Sequence, residues 1–210
     1  FYQNNRKAFS ESLKPNSLAV FNSNDIYPVG ADSTFPFEQH RDIFYLTGID
    51  QEETILLLSP QAKELKNRAI LFIKKTDKNI QIWEGQKLSK EDARSISGID
   101  KIFWLTEFDS TLKKITSQNK GIYLNKNEHY RNNSETQTRE DRFITKFKKK
   151  YPYHVVHRSN PILQHLRSIK DPLEINQIKK APSIAPLLFP EPPAINITQT
   201  KNVILLGSKV

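Results

Sequence analysis

The sequence predicts an α/β fold, a single mixed β-sheet flanked by helices, and three observations lead there. The apolar runs are short and end at turn residues, as in Leu18–Phe21 and Ile55–Leu58 before Ser59-Pro60. The first half joins its strands by short links, whereas the second half alternates strand and helix. Several polar segments carry helix start and stop signals, such as Ser89 ahead of Glu91-Asp92 and Gly98 behind.

Residues 2–14 read as a helix, with Tyr2, Phe9 and Leu13 in phase and Pro15-Asn16 closing it. Residues 18–21 form the first strand and 22–37 a polar loop rich in Asn, Asp, Ser, Pro and Gly. The aromatic run 42–47 reads as a second strand that Gly48 ends. Residues 53–58, 69–74 and 80–83 follow as the third, fourth and fifth strands. A helix spans 89–97, with acidic residues in its first turn that suit the positive end of the helix dipole. A strand over 101–105 precedes a helix over 107–116, where Phe108, Leu112 and Ile115 share one face, and a strand over 121–124. After a polar loop, 125–137, a basic amphipathic helix spans 139–150 with Phe143, Ile144 and Phe147 inward. A strand over 154–156 and helices over 161–168 and 172–181 complete the order, the last opened by Asp171 as cap with Pro172 at the first helical position. Beyond it stand Pro182, Pro186, Pro190, Pro192 and Pro193, and the first two are expected to end the helix.

Composition narrows the function. A hydrophobic share of 37% and a charged share of 26% fit a soluble globular chain, and no apolar run is long enough to span a bilayer. The absence of cysteine rules out disulfides, thiolate metal sites and cysteine nucleophiles. No export signal is visible at the start, which points to the cytoplasm. The net charge is +9, but the lysines are scattered apart from Lys148-Lys149-Lys150. No RNA-binding motif accompanies them, so composition favours a solvated basic surface over a nucleic-acid partner.

Motifs for catalysis are lacking. The five histidines, His40, His129, His154, His157 and His165, match no metalloprotease spacing, and His40 beside Asp42 reads as a surface pair. There is no Gly-x-Ser-x-Gly elbow, phosphate loop or dinucleotide fingerprint.

What does stand out is an ordered set of short motifs. Phe1-Tyr2-Gln3-Asn4-Asn5-Arg6 opens the chain, the loop Asp32 to Phe37 leads into Gln39-His40-Arg41-Asp42, and Phe44-Tyr45-Leu46-Thr47-Gly48 follows. Ile82-Trp83-Glu84-Gly85 comes next, and Leu166 to Ile175 closes the set. Together they resemble the N-terminal domain of aminopeptidase P, the Xaa-Pro aminopeptidases of the creatinase and prolidase superfamily. Glu38 stands where the family usually has a basic residue, and His40-Arg41 where it has Asn-Ser. The resemblance divides the chain into an N-terminal-domain-like part, 1–170, the start of a linker helix, 171–181, and a proline-rich tail without family match, 182–210.

The resemblance implies a metallopeptidase that releases a residue preceding proline. Two divalent cations, commonly manganese, would activate a bridging water there, held by two Asp, one His and two Glu of a C-terminal pita-bread domain. That domain lies outside the segment the resemblance covers, so this chain is expected to hold no metal and no catalytic residue and to be inactive alone. It implies a homo-oligomer, with proline-containing peptides as substrate. It also places Trp83 at the substrate cleft as a flat apolar wall and Asp32 at its entrance. The competing readings are a strand-end core residue for Trp83, a loop-bound side chain for Asp32, and, for the whole chain, a stand-alone binding module or a basic nucleic-acid binder.

Overall fold

In the computed structural model of the chain, the described residues are 1–77, 81–82, 84–129, 131 and 135–188, with 181–188 as backbone only. Contacts divide the chain into Phe1–Leu163 and Gln164–Val210.

The first unit is built on a sheet of β1 (Ser17–Asn22), β4 (Ile55–Leu58), β5 (Ala69–Ile73), β6 (Lys101–Trp104), β7 (Gly121–Leu124) and β8 (Val155–Arg158), in the order β6-β5-β4-β1-β7-β8. Only β4 runs against the others. The sheet is therefore mixed, and the carboxyl ends of five strands lie on one side. The three central strands β4, β1 and β7 are buried on both faces, which explains why they read as continuous apolar runs rather than alternating ones.

Alternate residues of these strands serve different layers. Leu18, Val20, Ile55, Leu57, Phe72 and Ile122 meet Phe108 and Leu112 of α4 (Phe108–Thr116) and Phe147 of α5 (Arg139–Lys150). Phe143 and Ile144 pack beside Phe147, as their phase predicts. On the other face Phe9 of α1 (Tyr2–Glu11) meets Phe21 edge-on at 5.2 Å between ring centres. Between β5 and β6 lies α3 (Lys90–Ser97), whose Ser89 and Asp92 exchange the capping hydrogen bonds their spacing predicts. Thr138 and Asp141 do the same for α5.

The run 42–47 is not a strand. It is the helix α2 (Arg41–Thr47), whose first turn is capped by the His40 side chain and whose end is Gly48 at φ 71°. The buried residues are Asp42, Ile43, Leu46 and Thr47, a helical spacing that alternation does not fit. Arg6, buried on α1, donates to the Leu46 carbonyl at 2.7 Å, and Asn5 donates to Tyr45 O at 2.9 Å. The carbonyls at the end of a helix lack partners within it, and α1 supplies them. Burial lowers the Arg6 guanidinium to about 10. A side chain at Gly48 would collide with the Tyr2 ring, so both the backbone turn and the docking of α1 favour glycine there.

Two further expectations change. The loop 22–37 contains a small hairpin, β2 (Pro28–Gly30) paired with β3 (Ser33–Thr34). The strand expected over 80–83 is not formed at Gln81 and Ile82, which are helical, while 80 and 83 lie outside the described residues. Gln81 N–H bonds to Asp77 O at 2.9 Å, the i to i−4 pattern of a helix.

The helix α6 (Asn160–Ser168) buries Leu163. In the second unit, α7 (Pro172–Leu188) begins at Asp171, whose carboxylate accepts the Leu173 N–H at 2.8 Å. It continues through Pro182 and Pro186 rather than ending before them. Each proline removes one N–H donor from the ladder and its ring presses on the carbonyl four residues before it, so the helix carries both prolines at a local cost. No described helix is long and apolar enough to cross a membrane.

Candidate functional site

At the carboxyl end of the sheet, β1, β7 and β8 finish in polar residues: Asn22-Ser23, Asn125 and Ser159, all buried. The N-termini of α2 and α5 converge on the same place and bring His40, Asp42 and Glu140 with them. Asn125 is the hub. Its Nδ2 donates to Asp42 Oδ2 at 2.9 Å, and its Oδ1 accepts the Ser159 hydroxyl at 3.2 Å. His40 Nδ1 accepts the Asp42 backbone N–H at 3.2 Å. That assigns the proton of neutral His40 to Nε2, which lies 3.5 Å from Glu140 Oε2.

Glu140 is 6% exposed. Burial pushes its carboxyl up to about 8, the Asp42 charge adds to this, and the Asn125 hydrogen bond opposes it. The carboxyl is therefore mostly protonated at neutral pH, and Oε1 is buried with no hydrogen-bond partner among the described residues. The arrangement holds two carboxyls close together by keeping a proton on one of them.

Around this centre lies a shell of ion pairs. Asp25 accepts the Arg139 backbone N–H at 2.8 Å and pairs with Arg142 at 2.5 Å. Burial lowers the Arg139 guanidinium, which donates to Ser23 Oγ at 3.3 Å. Lys74, at the end of β5, bonds Glu53 at 2.8 Å and Glu84 at 2.9 Å. Burial alone would lower Lys74, but these two carboxylates outweigh it and raise the ammonium. The Lys74 hydrogen bond in turn lowers Glu84. Lys87 joins Glu84 to Glu52. Thus charge ties the loop after β1 to the start of α5, and the loop before β4 to the segment after β5.

The residues expected from sequence fall in different places. Asp32 is exposed in the tight turn between β2 and β3. Trp83 lies outside the described residues; of its neighbours, Ile82 is 72% exposed and Glu84 is held by Lys74. His40 and Asp42 are not a surface pair. Their side chains are 18% and 13% exposed, because α5 docks over them. Asn125, Ser159 and Glu140 carry no signal in the sequence, where Glu140 reads as an ordinary first-turn acid of an amphipathic helix.

A dinuclear metal centre does not fit these residues. Among the described residues no three His, Asp or Glu side chains form a metal-holding group. The nearest approach to one, His40 with Asp42 and Glu140, has the Asn125 amide hydrogens directed at Asp42 and a carboxyl that keeps its proton at neutral pH.

Comparison with known proteins places this geometry. The model of the aminopeptidase P N-terminal domain matches residues 2–123. Human Xaa-Pro aminopeptidase 3 is 28% identical over 173 residues, which cover 80% of this chain and 33% of that protein. The Xaa-Pro aminopeptidase of Escherichia coli K12 is 28% identical over 114 residues, 54% of this chain and 26% of the enzyme. A solved Bacillus anthracis structure described as an aminopeptidase P superposes with a TM-score of 0.77 at 28% identity, covering 86% of this chain and 42% of that one. The chain thus spans between 26% and 40% of the length of the first curated relatives it matches. With more than half of its residues inside that family model, the chain belongs to the aminopeptidase P N-terminal domain family.

Proposed function

We propose that this chain is the non-catalytic N-terminal domain of an Xaa-Pro aminopeptidase, which shapes access to the active site and helps subunits associate. The parent enzyme would release an N-terminal residue that precedes proline. Two divalent cations, manganese by expectation, would be held by residues outside this segment. The observation that carries the reading is the match of residues 2–123 to the N-terminal domain, in a chain that covers 33% of human Xaa-Pro aminopeptidase 3.

The β2–β3 hairpin supports the association role. Tyr27, Val29 and Phe35 are 44%, 59% and 58% exposed around Asp32, an apolar arm suited to a partner surface. The test is a peptidase assay. The purified chain is expected to release nothing from Arg-Pro-Pro with manganese present. Metal-dependent release of arginine by this chain alone would overturn the proposal.

A further inference from the structure

The amino ends of β1, β7 and β8 lie together, since these three strands are parallel. The turns that precede them are stitched side by side. Lys120 N–H donates to Asn16 O at 2.9 Å, and Val155 N–H donates to Lys120 O at 3.0 Å. The His154 ring Nε2 lies 3.0 Å from Thr116 O. Asn16 N–H donates to Gln61 Oε1 at 2.7 Å, which joins the 59–67 turn to the same rim. The topology thereby gathers lysines that are far apart in sequence. Lys14, Lys114, Lys120, Lys149 and Lys150 are exposed here, and none of them pairs with a carboxylate among the described residues.

Two features set this rim apart from a merely solvated face. Tyr153, in the turn before β8, is 95% exposed beside the lysines, a bare ring with both faces in water. A groove of about 740 Å³ lies between the 59–67 turn, β6 and α4. Its lining holds Lys114 and Gln118, with Phe103 as an apolar wall; Lys101 there already donates to Asn67 Oδ1 at 2.5 Å, Asn119 donates to Ile115 O, and Glu64 and Glu107 are the acidic members.

We propose that this rim binds single-stranded nucleic acid. The lysines would meet successive phosphates, a base would stack on Tyr153, and the Gln118 amide would meet a base edge. Point-charge lysines without bidentate arginines suit backbone contact with little sequence preference. A bilayer is the poorer fit, because the turns 14–16 and 117–120 present Pro15 but no long apolar side chain to insert. The proposal is independent of the peptidase reading.

The test uses the whole chain and labelled oligo(dT), followed by fluorescence anisotropy across a salt series. If five lysines each meet a phosphate, the slope of log K against log salt is about −3.5. Lys114→Glu with Lys149→Glu lowers affinity at least about tenfold and flattens the slope by about 1.4. Tyr153→Ala lowers affinity about tenfold with the slope unchanged, the mark of lost stacking. Lys75→Glu, at the opposite end of the sheet, leaves both unchanged. These side chains are exposed, and equal thermal midpoints show that every variant folds. No binding at low salt overturns the proposal. So does binding that Tyr153→Ala leaves intact, or binding to anionic phospholipid vesicles without binding to oligo(dT).

Discussion

At the carboxyl end of the sheet, Asp25, Glu53, Glu84 and Glu128 each meet a cation at 2.5 to 2.9 Å, and Asp42 and Glu140 are buried against each other. At the amino end, Lys114, Lys120 and Lys149 face solvent with no described carboxylate partner. The contrast separates two uses of charge. At the carboxyl end charge joins loops and helix N-termini into one structure, so stability depends on its protonation. At the amino end Lys101 donates to Asn67 Oδ1, but Lys114, Lys120 and Lys149 make no such tie among the described residues, so folding is indifferent to those three and they remain available to a partner. Variants at the two ends should therefore behave differently, and three of them test how far the contrast holds.

The largest effect belongs to Glu140. Its carboxyl sits at about 8 in the folded chain against 4.5 when exposed, so the folded state binds the extra proton between those values. A carboxyl raised on folding stabilises less as pH climbs; the loss begins near 4.5 and is complete above about 8. The gap sets a ceiling of about 5 kcal/mol, reduced by relaxation and by water entering the site. Glu140→Gln removes this titration. Urea unfolding at pH 5.5, 7 and 9 should show the parent losing stability across the series and the variant losing much less. Parallel pH profiles would mean that Glu140 is solvated and that the carboxyl end is not the proton-sensitive one.

Asn125→Ala comes next. The side chain is 3% exposed and bridges Asp42 to Ser159. Its removal leaves Asp42 buried without that donor, and the loss expected is about 2–3 kcal/mol. It also removes a contact that holds the Glu140 carboxyl down, so the loss of stability with pH should extend to higher pH in the variant. A loss below about 0.5 kcal/mol, the size of an ordinary surface substitution, would show that the hub is replaced by water.

Much of this was legible in advance, and the exceptions share one cause. The helix over 139–150 follows from local signals alone: Thr138 and Asp141 at capping spacing, Phe143 and Phe147 in phase, and lysines in the last turn. The run 42–47 carries signals of equal strength for the wrong element. Five of its six residues are aromatic or branched and suit a strand, and the run is too short for its period to decide. What decides is remote: Arg6 and Asn5 supply the helix end with donors, and Tyr2 needs the space that Gly48 leaves. Glu140 was misleading for the same reason. A first-turn acid on a basic helix is ordinarily a surface residue, and only the docking of α2 buries it. The two charged ends were invisible because each is assembled by strand direction from segments as distant as Lys14 and Lys149.

The smallest effect is expected at the amino end, and it gives the contrast its sharper half. Lys149→Gln removes one exposed charge from a run of three lysines at the end of α5. Two influences oppose each other there. The last turn of a helix favours cations by about 0.3–1 kcal/mol at low salt, whereas neighbouring lysines repel. Lys148 and Lys150 still serve the helix end, so relief of repulsion offsets the loss and the net change stays within about 0.5 kcal/mol. The measurement is the urea midpoint of Lys149→Gln beside that of the parent, at low and at moderate salt. A destabilisation above about 1 kcal/mol would show that this lysine holds the unit together. The amino end would then be structural like the carboxyl end, and the division of charge between the two would fail.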